Sequence, residues 1–333
     1  MRILLLLAHS IAEYDDVRMF SDLGYDVFSI GAYSNPYDPG DDVRPPFDID
    51  SGVPVHPELA DLTKDQMAAK EHLPDEVIDW ADAIIVHHYP YQWLIGQYER
   101  IRHKRVIWRT CGQSDSSLEI AMAGMHARGV QIVRYSPKER EFFEPQGTFA
   151  GQDALIRFGK YPDDYPYWHG DAPFVTNVTQ NMRGRGAWVG AQWYERATAG
   201  LAARPMGPGS EEYPGGLGKV SPDGMLHVLS QARAYVYTGT HPAPYTLGLM
   251  EAMLAGVPVV SIGPGAWMGP AELFEAHEIA GDWADDPDEA RMKIAGLLGE
   301  PDHERSETVR LRAEALFGIE TIGAQWRAFL GEP

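Results

Sequence analysis

Short apolar runs alternate with longer amphipathic stretches along most of the chain. Residues 3–8 form a six-residue apolar run, the right length for a buried strand and too short for a signal core or a membrane span. Residues 13–23 place apolar side chains at helical spacing until Gly24 stops them, and 25–30 return to a strand. The rhythm continues with helices over 59–71 and 75–80, a strand over 83–86, a helix over 92–102 and a strand over 105–109. A strand over 131–135 and a helix over 137–143 close the first half. Two stretches break the rhythm. Residues 34–56 are rich in Pro, Asp and Gly, and 161–169 (YPDDYPYWH) read as a Pro-rich, aromatic linker. After the linker come a strand over 174–179, a helix to about 200, and helices over 222–231, 286–299, 304–317 and 320–330. Strand, loop, helix, strand, repeated on both sides of a linker, predicts an α/β protein of two doubly wound domains.

The densest stretch runs from Tyr235 to Gly263. Tyr235 to Thr238 closes a strand; one Gly and two Pro between 239 and 244 make a loop. Thr246 is placed to cap a helix whose apolar face is Leu249, Met250, Met253 and Leu254. Gly256 sits where a terminating glycine belongs, Pro258 prevents continuation, and 257–262 is a β-branched run typical of a buried parallel strand. Free amides at Thr246 and Leu247, reinforced by the helix dipole, suit a phosphate. Glu251 is the only carboxylate on this apolar helix, one turn and more past those amides, where it can accept hydrogen bonds from a ribose diol.

This stretch resembles the nucleotide-sugar-binding signature of GT-B glycosyltransferases, in the form carried by family 4-like donor domains. Glu251-Ala252-Met253, Gly256 and Pro258-Val259-Val260 match the pattern. The signature's earlier Glu falls on Ala243, and its Gly-Phe-Gly on Pro244-Tyr245-Thr246. The resemblance implies a GT-B fold: two Rossmann-like domains facing across a cleft. The first domain (1–165) would take the acceptor and the second (166–315) the nucleotide sugar. A final helix (316–333) would cross back to the first. It also implies that Arg183 and Arg185, in the loop after the second domain's first strand, hold the donor diphosphate. Arginine suits that task because its fork grips phosphate oxygens bidentately. By the same resemblance Lys219 and Val220 read the base, Tyr245, Thr246 and Leu247 face the donor, and Glu251 takes the ribose. The loop over 263–269 would lie near the donor sugar.

Composition narrows the partners. The chain has 333 residues and a net charge of −20, which on average repels nucleic acid and anionic lipid. One segment departs from the average: between Arg100 and Arg140 stand nine Lys/Arg against three acids. That is either a solvated face or a basic acceptor surface, with Arg102 and Arg105 its candidate contacts. The single cysteine, Cys111, excludes a disulfide framework and fits a reducing compartment, so a cytoplasmic protein is expected. Asp48-Ile49-Asp50 has the DxD spacing of metal-binding GT-A enzymes, but one such triplet is expected by chance among 48 acids; His87-His88 ends a strand with no Cys or third His nearby, and no metal or other cofactor is expected.

The expected reaction is glycosyl transfer from a nucleoside-diphosphate sugar to a hydroxyl. Asp115, His88 and His9, each at a predicted strand end, are candidate bases for an inverting course; a retaining course needs none. Asp115 also reads as a helix cap. A saccharide or small glycoside is one acceptor. A hydroxymethylpyrimidine base in DNA is another, on a weak likeness of residues 238–253 to phage glycosyltransferases. An inactive nucleotide-sugar-binding protein of the same fold is the rival.

Overall fold

The structure, a computed structural model, describes residues 1–7, 9–30, 52–53, 55–68, 72–88, 91–112 and 115–333. The chain divides into two compact units, Met1–Lys160 with Ile319–Pro333, and Tyr161–Gly318.

The first unit is built on six parallel strands: β1 (Arg2–Leu6), β2 (Asp26–Ile30), β3 (Ala83–His87), β4 (Arg105–Arg109), β5 (Gln131–Arg134) and β6 (Ala154–Leu155). They lie in the order β2-β1-β3-β4-β5-β6. Its helices are α1 (Ser10–Asp22), α2 (Pro57–Ala68), α3 (Asp75–Trp80), α4 (Tyr91–Ile101), α5 (Ser116–His126) and α6 (Pro137–Phe143). The continuous apolar strands are explained by burial on both faces. Leu4, Leu6, Ile84, Val86, Val106, Trp108 and Ile132 join one core with Leu94, Leu118 and Met122. Ile3, Leu5, Ile85, Ile107 and Val133 join the other with Val17, Phe20 and Trp326.

The second unit repeats the plan with β7 (Ala172–Val178), β8 (Ala203–Met206), β9 (Ala232–Tyr237), β10 (Val259–Ile262) and β11 (Trp283–Ala284). All are parallel, in the order β11-β10-β9-β7-β8. Its helices are α7 (Met182–Arg185), α8 (Ala191–Ala197), α9 (Pro222–Gln231), α10 (Leu247–Leu254), α11 (Ala276–Ala280), α12 (Pro287–Leu297) and α13 (His303–Phe317). In each unit the first strand is flanked by the second on one side and the third on the other. The order therefore reverses at β1/β3 and again at β7/β9.

The linker segment is part of the second unit. The Arg310 guanidinium on α13 donates to the carbonyls of Leu254 (3.0 Å), Pro162 (3.1 Å), Tyr165 (3.3 Å) and Pro166 (3.4 Å) and lies over the Tyr167 ring. Trp168 is buried and its indole N–H donates to Ala232 O at 2.6 Å. Gly256, with φ 78°, ends α10 beside this knot; a Cβ there would stand 2.8 Å from Ser306 Oγ.

The C-terminal helix, Ile319–Leu330, covers one face of the first sheet. Trp326 is fully buried, edge-on to Phe20 at 5.1 Å and under the Arg109 guanidinium. Trp326→Ala is expected to lower the unfolding free energy of the first unit by about 3–5 kcal/mol, the usual range for a buried Trp cavity. Urea unfolding followed by circular dichroism reads this; a loss below about 1 kcal/mol would mean that the helix is not part of that core.

Candidate functional site

Parallel strands send all their carboxyl ends to one edge of the sheet, and ligands gather where the strand order reverses. In the second unit that point is β7/β9. The loops that follow β7, β8, β9 and β10 all open there.

The loop after β7 carries the arginines. Asn181 turns the chain with φ 46°, and its N–H donates to Pro208 O at 2.6 Å, tying this loop to the one after β8. Gly184 packs closely here: a Cβ would stand 2.4 Å from the Asn181 side chain, which would have to move. Arg183 is committed to its own surroundings. It lies over Tyr213 at 4.7 Å, with Glu212 at 3.7 Å and Glu195 at 3.9 Å. Arg185 differs: it is half-buried, and no carboxylate or carbonyl among the described residues pairs with it. Burial alone pushes its guanidinium down from the usual arginine range, so an anion would relieve that cost.

Across the switch point, Thr246 takes the extended N-cap conformation before α10, yet its hydroxyl caps nothing; it lies beside the Tyr237 phenol. The first amides of α10, at Leu247 and Gly248, have no intrahelical acceptor. Gly248 lets this turn close on the sheet, because a Cβ there would stand 3.3 Å from the Tyr235 hydroxyl. Glu251 follows one turn later, 3% exposed on an otherwise apolar helix. Tyr245, expected to face the donor, turns inward instead: it is buried against Phe317 at 5.5 Å, so only its backbone is available.

Lys219 is exposed and Val220 half-buried, just before Ser221 caps α9 through Gly224 N at 3.1 Å. Residues 207–218, a stretch with five glycines, are pinned: Gly207 N donates to Gly218 O, Leu217 N to Pro205 O, and Gly218 N to Ser210 Oγ. After β10, Asp285 Oδ1 accepts from Gly265 N at 2.7 Å and Ala266 N at 3.2 Å, which shapes the loop over 263–269. A recess of about 410 Å3 lies beside β11, lined by Asp282, Trp283, Asp285 and Lys293, among others. Lys293 is neutralised there by Asp282 and Glu289, and the recess is away from the switch point.

In the first unit the switch point is β1/β3. His9 follows β1 and is exposed; His88 follows β3, buried and stacked on Trp108 at 6.1 Å. Asp115 caps α5, accepting from Leu118 N at 2.9 Å, and that bond holds its carboxyl below the usual range, which makes it a weak base. The structure thus brings His9, His88 and Asp115 to one edge of one sheet. Beneath them lies a buried polar layer. Asp16 contacts Arg109 and His87, Asp15 holds Lys160 at 2.6 Å, and Glu119 takes Arg134 bidentately at 2.6 and 2.7 Å.

Arg102 and Arg105 are misplaced as acceptor contacts. Arg105 begins β4, so both lie at the amino end of the sheet, opposite the strand ends that gather ligands. The Arg105 guanidinium is also spent on the C-terminal helix, donating to Leu330 O at 2.7 Å and Phe329 O at 2.8 Å. The excess of cations between 100 and 140 does not form a free basic face. Arg109 and Arg134 are buried with carboxylates. Arg100, Arg102, Arg128, Lys138 and Arg140 pair with Asp75, Glu99, Glu99, Glu141 and Glu144. Lys104 caps Asp79 O. Asp48 and Asp50 lie outside the described residues.

No protein-family model matches the chain, and no characterised protein matches it by sequence. Solved structures do. Sucrose-phosphate synthase from Thermosynechococcus elongatus superposes with a TM-score of 0.68 at 15% identity, covering 99% of this chain and 98% of that one. Anabaena HepE in complex with UDP gives 0.70 at 15% identity over the full length of both chains. A glycosyltransferase from Rickettsia africae gives 0.66 at 11% identity, over 100% and 99%. The chain has the GT-B fold. At these identities the likeness establishes architecture, and the chemistry has to be argued from residues.

Sequence reasoning missed two groups in this GT-B chain. One is the buried layer of Asp15, Asp16, His87, Arg109 and Lys160. Its only signal was three acids, Glu13, Asp15 and Asp16, in the first turns of a helix that also had to bury a face. The other is His241 with Trp188 and Trp267, which spacing alone could not bring together.

Glu139 offers a pH test of the buried layer. Its carboxyl accepts from Thr110 Oγ1 at 2.8 Å, and burial pushes it from 4.5 to about 7. A raised carboxyl contributes stability that is complete below about 4.5 and lost as pH rises through about 7. Relative to Glu139→Gln, the wild type should therefore lose about 2 kcal/mol between pH 5 and pH 8. Denaturant unfolding at both pH values measures it, and a wild type that gains on the variant as pH rises would contradict the buried, raised carboxyl.

Proposed function

We propose that this chain transfers a glycosyl group from a nucleoside-diphosphate sugar to the hydroxyl of a saccharide or small glycoside. The observation that carries the reading is Arg185, a half-buried cation without a partner among the described residues, in the loop after β7 and across the strand-order switch point from the open amino end of α10. An acceptor oxygen attacks the anomeric carbon as the bond to the diphosphate oxygen breaks. The leaving diphosphate gains negative charge in that step. Arg185, the amides of Leu247 and Gly248, and the α10 dipole are fixed in place to stabilise it. Arg183 holds the shape of the loop through Glu195, Glu212 and Tyr213. Glu251 accepts the ribose hydroxyls, and Lys219 with Val220 borders the base. His9 and His88 are the groups to take the acceptor proton in an inverting course, since Asp115 is occupied as a cap. The mechanism asks nothing of a metal, so turnover should persist in a chelator.

Two neighbours support the donor class. HepE was solved with UDP and with UDP-glucose, and another neighbour is a sucrose-phosphate synthase. A DNA acceptor loses its main support, because the cations between 100 and 140 are paired or buried. A saccharide needs no such face.

Two substitutions separate the roles. Arg185→Ala should weaken binding of UDP by about 10- to 100-fold and leave uridine unchanged, as expected for a lost charged hydrogen bond. Glu251→Gln should weaken both ligands alike. Calorimetry for UDP and ligand-observed NMR for uridine provide the measurements, with GDP and ADP pairs run beside them. Unchanged affinity of every diphosphate for Arg185→Ala would sink the assignment. Release of nucleoside diphosphate from the sugar donor distinguishes an enzyme from an inactive binder.

A further inference from the structure

The loop after β9 holds a second constellation that the diphosphate reading leaves unused. His241 N–H donates to Trp188 O at 2.7 Å, stitching this loop to the one that carries Arg185. The imidazole sits between two indoles, 4.9 Å from Trp188 and 5.5 Å from Trp267. Trp188 is 52% exposed, whereas Trp267 is buried and stacked on Phe274 at 4.6 Å. Three polar atoms here are buried without a partner among the described residues: Thr238 Oγ1, His241 Nδ1 and Trp267 Nε1. Thr238 and Trp267 are themselves more than nine-tenths buried, and buried polar groups are ordinarily satisfied.

The room around them is kept by glycine. A Cβ at Gly269 would stand 2.6 Å from His241 Nδ1, and one at Gly239 3.0 Å from Trp267 Nε1. With its Nδ1 edge closed against Gly269, the imidazole has Nε2 as its available edge. Burial alone pushes the imidazole down, so it stands neutral at pH 7. A neutral hydrogen-bonding ring beside an exposed indole face suits a polyhydroxylated ring: the indole takes its apolar C–H face and the imidazole one of its hydroxyls.

We propose that His241 is a specificity-determining residue for the donor, contacting a hydroxyl of a neutral hexosyl group through Nε2 while Trp188 packs on the sugar face. The assignment rests on the donor reading above and adds to it the part of the donor beyond the diphosphate. A hexuronosyl group is disfavoured, because its carboxylate would meet two indoles and a neutral imidazole.

The test compares a nucleoside diphosphate with its sugar conjugates. Wild type is titrated with UDP, GDP and ADP and with the glucose conjugate of the tightest of them, and where that is UDP, with UDP-glucuronate also. The glucose conjugate should bind more tightly than the diphosphate alone and more tightly than the glucuronate. His241→Leu should remove about 10-fold of that preference and leave the diphosphate unchanged, while His241→Gln restores part of it. Trp188→Ala, at an exposed position, should lower the same preference and guards against a folding defect at 241. Equal losses for diphosphate and conjugate, or no loss for either, overturn the role of His241 while leaving the diphosphate site standing. A wild type that binds no nucleoside diphosphate overturns both.

Discussion

The structure depends on a constraint of parallel sheets. Neighbouring strands that leave for opposite faces open a gap at their carboxyl ends, and only there can loops converge on a ligand without blocking one another. Both units reverse at the strand pair formed by their first and third strands. In the second unit this sends the Arg185 loop and the start of α10 to the same switch point, with His241 N bonded across to Trp188 O. Neither loop would be a site by itself: a four-residue helix carrying two arginines is ordinary, and so is a helix N-terminus. Their convergence follows from strand order.

Charge is spent differently in the two units. In the first, two arginines at strand ends and Lys160 are buried with carboxylates from α1 and α5. Such pairs add little net stability, because desolvation offsets attraction, but losing one partner costs about 3–5 kcal/mol. They fix the strand ends rather than offering charge to a ligand. In the second unit Arg183 also has carboxylates beside it, at the surface, and Arg185 has none among the described residues. The difference between adjacent arginines of one loop is what marks the site.

The strands, most helices and the two-unit plan were legible because burial on both faces leaves continuous apolar runs, and because Gly24, Gly256 and Pro258 punctuate them. The α10 signature was legible for the same reason, Glu251 being conspicuous on an apolar helix. Side-chain direction was not legible. Tyr245 lies within a signature that suggests a ligand contact, yet its ring fills the space over Phe317. Arg105 read as a surface cation because the sequence does not show which end of β4 faces the ligands, nor that two carbonyls at the end of the last helix await it. The nine cations read as an excess because the acidic partners of six of them, Asp16, Asp75, Glu99, Glu141 and Glu144, stand outside the counted segment. His241 was passed over as a loop residue just ahead of two prolines, since only the fold brings Trp188 and Trp267 beside it.

The central claim is that the switch point of the second unit holds the donor diphosphate. Hydrogen–deuterium exchange of the intact protein, with and without a saturating nucleoside diphosphate, tests it most directly, because it reads the loops without assuming any residue's role. The account predicts slower exchange over residues 181–190 and 238–249, the loops after β7 and β9, with the amides of the first-unit strands unchanged. Protection confined to the first unit, or none in these two loops under saturating ligand, would contradict it.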